Sequence, residues 1–180
     1  MDMTKKRIAV FDLDGTLVAT DAANNAAYEY ALARFDVHGV GALYGRITAE
    51  TIRAVGIGSV DVDTIVKTKI VAYCHKLWRT HLGAAAEALQ CVLVNRGAFD
   101  KVVLLTNSIE RRAIETLRYY GLEHCFDEIV CNGGSGDKYA NYFKSFDSDP
   151  AACVVWENEE GQIMSAIAAG VKTENIRKVG

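Results

Sequence analysis

Four short, largely apolar runs punctuate the chain: Arg7–Phe11, Lys101–Leu105, Asp127–Cys131 and Ala152–Trp156. Each ends at a polar residue and gives way to helical periodicity. Strands that alternate with helices pair in parallel, because each helix carries the chain back to the starting edge. The expected fold class is therefore α/β, with a doubly wound parallel sheet and Asn175–Val179 as a last short strand. Ligands of such sheets lie beyond the carboxyl ends of the strands. The residues just after each run are then the chemically interesting ones. They are Asp12 and Asp14, then Thr106-Asn107-Ser108, then Gly133 to Lys138, then Glu157 to Glu160. Two carboxylates, a hydroxyl-amide turn, a lysine and an acidic cluster thus converge on one edge.

Between Leu17 and Leu82 the pattern holds only helices. They are predicted over Ala22–Phe35, from Thr48 to near Gly56, and over Val62–His81, with a loop at Gly56–Ser59. Helices are further predicted over Ala84–Asn95, Ile109–Tyr120, Tyr139–Phe146 and Gln162–Ala169. The expected organisation is a core of residues 1–17 and 82–180, interrupted by a helical insert at 18–81.

Composition narrows the class. With 180 residues the chain forms one core with a subdomain, and a net charge of −3 implies no basic face for nucleic acid. Five cysteines, odd in number and without a CxxC pair, read as buried thiols in a reducing compartment. Four apolar residues between Arg7 and Asp12 are too few for a signal peptide, and no stretch approaches a membrane span. A cytoplasmic monomer or homodimer acting on a small molecule is expected.

Alternation puts Asp12 and Asp14 on one side of an extended chain, and Gly15 supplies freedom to turn. Two adjacent anions are costly unless a cation or a proton-transfer role compensates. One Asp attacking a phosphoryl group while the other moves a proton, with Mg²⁺ bridging, meets that condition. An Asp-rich turn closing a strand is the plainer alternative. Thr106 and the N–H groups after it can hold phosphoryl oxygens at a helix N-terminus, or serve as an ordinary cap.

Asp12-x-Asp14-Gly15-Thr16 after a hydrophobic strand resembles the first motif of the haloacid dehalogenase superfamily. Thr106-Asn107-Ser108 resembles its second motif. Lys138, where a glycine-rich loop enters a helix, resembles the third; Lys144 is a rival, and Tyr139 stands where many relatives carry proline. Glu157-Asn158 followed by Ala-Ala-Gly170 resembles the fourth, with Asn158 replacing the usual aspartate. Gly121–Val130 also resembles the stretch between the second and third motifs. The insert resembles the small helical cap of subfamily I.

The resemblance implies a Mg²⁺-dependent phosphatase that hydrolyses a small phosphorylated metabolite through an aspartyl-phosphate. Asp12 is then the nucleophile and Asp14 the general acid and base. Thr106, Asn107 and Lys138 bind phosphate, and Asp12, Asp14, Glu157 and Asn158 hold the metal. An amide oxygen brings no charge, so the metal site is expected to be weak, with Glu159 or Glu160 as substitutes. Substrate selection falls to the cap, where Asn24, Asn25, Arg46 and Thr48 are candidates. Asp14 argues against dehalogenation and phosphonate cleavage, whose enzymes lack that acid. Phosphosugar mutases keep it but add a histidine early in the cap, and Asp21–Ala26 has none. A catalytically weak phosphate-ligand-binding or regulatory protein on the same fold is the alternative of another class. Lys67, Lys69 and Lys76 read as a solvated helix face. The i, i+6 spacing of His75 and His81 turns them apart, so no metal site is expected there.

Overall fold

The structure, a computed structural model, describes residues 7–56, 61–145 and 149–180. In chain order these form β1 (Ile8–Phe11), β2 (Val18–Ala19), α1 (Asp21–Ala33), α2 (Val40–Tyr44), α3 (Ala49–Val55) and α4 (Val62–Cys74). There follow β3 (His81–Leu82), α5 (Ala85–Val94), β4 (Lys101–Thr106), α6 (Glu110–Tyr119), β5 (Glu128–Cys131), α7 (Lys138–Ser145), β6 (Cys153–Glu157), α8 (Glu160–Ala168) and β7 (Ile176–Lys178). The chain divides into two compact units. One runs to Val18 and resumes over Leu82–Gly180; the other is Ala19–His81.

The larger unit is a five-stranded sheet in the order β5-β4-β1-β6-β7, parallel at every pairing. Successive β1 side chains point to opposite faces. Ala9 and Phe11 pack with Leu89 and Val92 of α5 and Leu117 of α6, while Ile8 and Val10 pack with Tyr139 and Tyr142 of α7 and Ala166 of α8. Burial on both faces explains the unbroken apolar runs. Each fully buried large side chain contributes about 1.5–3 kcal/mol. Phe11 stacks on Trp156 of β6 with ring centroids 4.3 Å apart. Strand order reverses direction around β1, so a crevice opens at the carboxyl ends of β4, β1 and β6.

The smaller unit has its own core, formed chiefly by Tyr28, Leu32, Val40, Ile47, Ile52 and Ile65. Its longest expected helix stops early. α4 ends at Cys74, a 3₁₀ turn follows at Leu77–Arg79, and His81–Leu82 is extended and pairs with β2. Leu77 is buried as the helical period demands, which hides the change of backbone from a reading of periodicity. The expectation of helices alone between Leu17 and Leu82 therefore fails at these two short strands, and α2 was not foreseen. Lys69 is not on a solvated face: it is buried, with its ammonium 4.8 Å from the Tyr28 ring centroid. The cysteines form no disulfide, but only Cys153 is buried, and Cys91 is exposed. The expected loop at Gly56–Ser59 falls mostly, and Phe146 wholly, outside the described residues. Among the described residues no helix is long and apolar enough to cross a membrane.

Candidate active site

The loop after β1 folds around one carbonyl: the N–H groups of Thr16, Leu17 and Val18 all donate to Leu13 O at 3.0–3.3 Å. Gly15 makes this possible at φ +82°, and it is also closely overlain. A Cβ there would stand 2.3 Å from Asn158 Nδ2. The loop thus leaves β1 with Asp12 buried and Asp14 half-buried.

Lys138 is the first residue of α7, placed by Asp137, whose Oδ1 accepts from the N–H groups of Tyr139 and Ala140 at 2.9 Å. Its Nζ lies 2.6 Å from Asp12 Oδ1 and 2.8 Å from Glu157 Oε2, and all three side chains are at least nine-tenths buried. Tyr139 donates its hydroxyl to the same Glu157 oxygen at 2.9 Å. The other, Oε1, accepts the N–H groups of Asn158 and Glu159. Glu157 therefore anchors Lys138, and both its oxygens are engaged.

One ammonium between two carboxylates leaves the cluster one negative charge in excess. Burial pushes the Asp12 carboxyl up to about 7, outweighing the downward pull of Lys138. Burial opposes the charged form of Lys138 too, but Asp12 and Glu157 beside it prevail and raise its pKa. Burial, with Glu157 and Asp12 nearby, lifts Tyr139 well above its ordinary value, so it keeps its proton and donates.

Asp14 is held from the opposite side. Ser108 Oγ donates to its Oδ2 and Arg112 Nη2 pairs with its Oδ1. Thr106, buried at the end of β4, accepts the Ser108 N–H on its hydroxyl oxygen at 3.1 Å, which leaves its O–H to donate. Asn107 is tied elsewhere: its Oδ1 accepts from Asn132 Nδ2. Asn158 Oδ1 accepts from Thr16 Oγ1 at 3.1 Å.

In the helical unit, the expected substrate residues serve the local fold. Asn25 Oδ1 accepts the Ile47 N–H at 2.8 Å while its Nδ2 donates to Gly45 O, and Asn24 donates to Ile47 O. Thr48 caps α3 in a capping box with Thr51. Arg46 is exposed and lies 3.4 Å from Asp21. A cavity of about 810 Å³ also lies wholly within this unit, lined by Tyr30, Arg34, Phe35, His75 and Lys76 among others, with no residue of the acidic cluster.

The structure thus brings together Asp12, Asp14, Thr106, Lys138, Glu157 and Asn158, gives the motif residues Thr16, Ser108 and Tyr139 partners within this group, and adds Arg112. One signal for Arg112 lay in the sequence. A cation in the first turn of a helix opposes the macrodipole and asks for a partner. Mg²⁺ takes oxygen ligands and keeps several waters, using one or two carboxylates. Asp12 Oδ2, the Asp14 carboxylate and the Asn158 amide oxygen suit it in kind. Among the described residues no three acids, histidines or cysteines gather to hold a metal unaided. The remaining positions would fall to water and substrate oxygens.

The model of the haloacid dehalogenase-like hydrolase family matches residues 9–176. A fructose-1-phosphate phosphatase of Escherichia coli (strain K12), YqaB, is 25% identical over 93% of this chain and 95% of its own. CbbY from Rhodobacter sphaeroides, crystallised in complex with phosphate, superposes with a TM-score of 0.73 at 17% identity, over 93% of this chain and 84% of that one. A haloacid dehalogenase-like family hydrolase from Streptococcus pneumoniae gives 0.73 at 17% identity, over 94% and 84%. The two superpositions speak to the fold. The family match spans nearly the whole α/β unit and the carboxyl ends of β1, β4, β5 and β6, and the chain belongs to the haloacid dehalogenase-like hydrolases.

Proposed function

We propose that this chain is a phosphatase that transfers the phosphoryl group of a small phosphorylated metabolite to Asp12 and then to water. The observation that carries the reading is Asp12 itself. It is a buried carboxylate at the carboxyl end of the central strand, with Oδ1 held by Lys138 and Oδ2 left without a hydrogen-bond partner among the described residues. Asp12 Oδ2 bonds to phosphorus as the bridging P–O bond breaks and its electron pair passes to the leaving oxygen. Asp14, two residues on, gives that oxygen a proton. Water then attacks phosphorus, Asp14 takes its proton, and inorganic phosphate leaves Asp12. The Thr106 hydroxyl and Lys138 supply donors to the phosphoryl oxygens. Asp12, Asp14 and Asn158 would hold Mg²⁺, which offsets negative charge on the transferred group.

The resemblance to the fructose-1-phosphate phosphatase makes fructose 1-phosphate the first substrate to try. A second reading, a phosphate-binding protein with little turnover, draws on Asn158, which brings no charge to the metal side and is already bonded to Thr16. Hydrolysis of p-nitrophenyl phosphate and of a panel of phosphorylated metabolites, with Mg²⁺ and with EDTA, separates the two. Magnesium-dependent release of phosphate is expected. In the same assay Asn158→Asp lowers the Mg²⁺ concentration for half-maximal rate. Phosphate binding without turnover in either buffer favours the second reading.

A further inference from the structure

We propose that Arg112, with Ser108, is the positioning residue for Asp14, aiming its carboxyl at the leaving-group oxygen; this rests on the phosphatase reading above. Arg112 stands in the first turn of α6, where the helix dipole disfavours a cation. Its side chain is only 12% exposed and that of Asp14 only 14%. A guanidinium is withdrawn from water to that degree at a cost that only a well-placed anion offsets. The position is therefore explained by Asp14 and not by the helix that carries it.

The two donors take different oxygens of the carboxyl, Ser108 on Oδ2 and Arg112 on Oδ1. Two fixed oxygens fix the plane of the group. A carboxylate has about four acceptor sites, so two remain, one to carry the proton passed to the leaving oxygen and one open to the metal. The backbone of Asp14 is already set by its bridge to Val18 and by the turn around Leu13 O. Ser108 and Arg112 both belong to the segment that follows Thr106. The contacts therefore fix the proton donor against the same segment that offers a hydroxyl to the phosphoryl group. A positioned acid matters in proportion to how much the leaving group needs its proton.

The test is the leaving-group dependence of Arg112→Gln and Arg112→Lys, measured with p-nitrophenyl phosphate and with phenyl phosphate. The nitrophenolate departs readily without protonation, while phenoxide does not. Arg112→Gln is expected to lower kcat/KM, which reports the transfer to Asp12 and not the later hydrolysis that both esters share, about 10- to 100-fold on phenyl phosphate and by less than about 3-fold on p-nitrophenyl phosphate. Arg112→Lys keeps the charge but loses the fork, and it should recover part of the loss. Thermal unfolding checks that the variants are folded, and Ser108→Ala carries the same comparison if Arg112→Gln is not. An equal loss of kcat/KM on both esters, or no loss on phenyl phosphate, overturns the proposal. A wild-type protein inactive on both esters instead sinks the phosphatase reading itself, and this proposal falls with it.

Discussion

Lys138 shares its ammonium between Asp12 and Glu157, and two predictions at the scale of a residue follow from that sharing. Replacing Asp12 by Asn removes the nucleophile but leaves Lys138 paired with Glu157, so turnover is lost while the fold stays. It also removes a carboxyl whose folded pKa, about 7, exceeds its unfolded one near 3.8. Such a group adds stability below the unfolded value and loses it as the pH rises through the folded one. Asp12→Asn should therefore raise the Tm in EDTA by several degrees at pH 8 and by less at pH 5. A melting temperature that gains no more at pH 8 than at pH 5 contradicts the upward shift described for Asp12. Gly15 is the second case. A methyl group there meets Asn158 Nδ2 at 2.3 Å and a backbone at φ +82°, so Gly15→Ala should cost about 1–3 kcal/mol and most of the activity. Denaturant titration measures the first effect and phosphate release the second.

Among elements, the strands were legible and the long-range pairs were not. β1, β4, β5, β6 and β7 lie within one residue or so of their expected positions, since a strand buried on both faces writes itself as an apolar run. Helix α4 is shorter than its periodicity predicts because Leu77 keeps the apolar period after the backbone has tightened. The aspartates and Lys138 stood out by motif. Ser108 and Arg112 reach Asp14 from 94 and 98 residues away, and no local pattern encodes such a meeting. In the sequence Tyr139 marks only the absence of a proline, yet its hydroxyl holds Glu157. The element that sets Lys138 in place is the capped start of α7. There Ser165 and two backbone N–H groups hold the Asp137 carboxyl below its usual range, although burial works the other way. Asp137→Ala should cost about 1 kcal/mol and reduce turnover through Lys138, and Asp137→Asn should restore most of the stability. Thermal melts and kcat of both variants check this; an alanine variant of unchanged stability rules the cap out.

The whole molecule joins an α/β unit to a helical one, each with a core of its own. We expect the helical unit to choose the substrate and the sheet to carry the chemistry. Replacing Ala19–His81 by a short Gly-Ser linker should leave a folded sheet that still turns over p-nitrophenyl phosphate slowly, with its preference among metabolites flattened. Far-UV circular dichroism and the metabolite panel measure this, and a product that does not fold shows that the sheet depends on the insert. The chain leaves the sheet unit at Val18 and re-enters at Leu82, where β2 and β3 lie side by side and Gly83 N–H donates to Leu17 O at 2.7 Å. A Cβ at Gly83 would meet Thr16 O at 2.3 Å, so departing and returning backbones nearly touch. Such a closed neck fixes the distance between the two chain ends, whatever the length of the excursion between them. An excursion that starts and ends at almost one point can change in length or sequence without moving the two strands' worth of backbone that flank it.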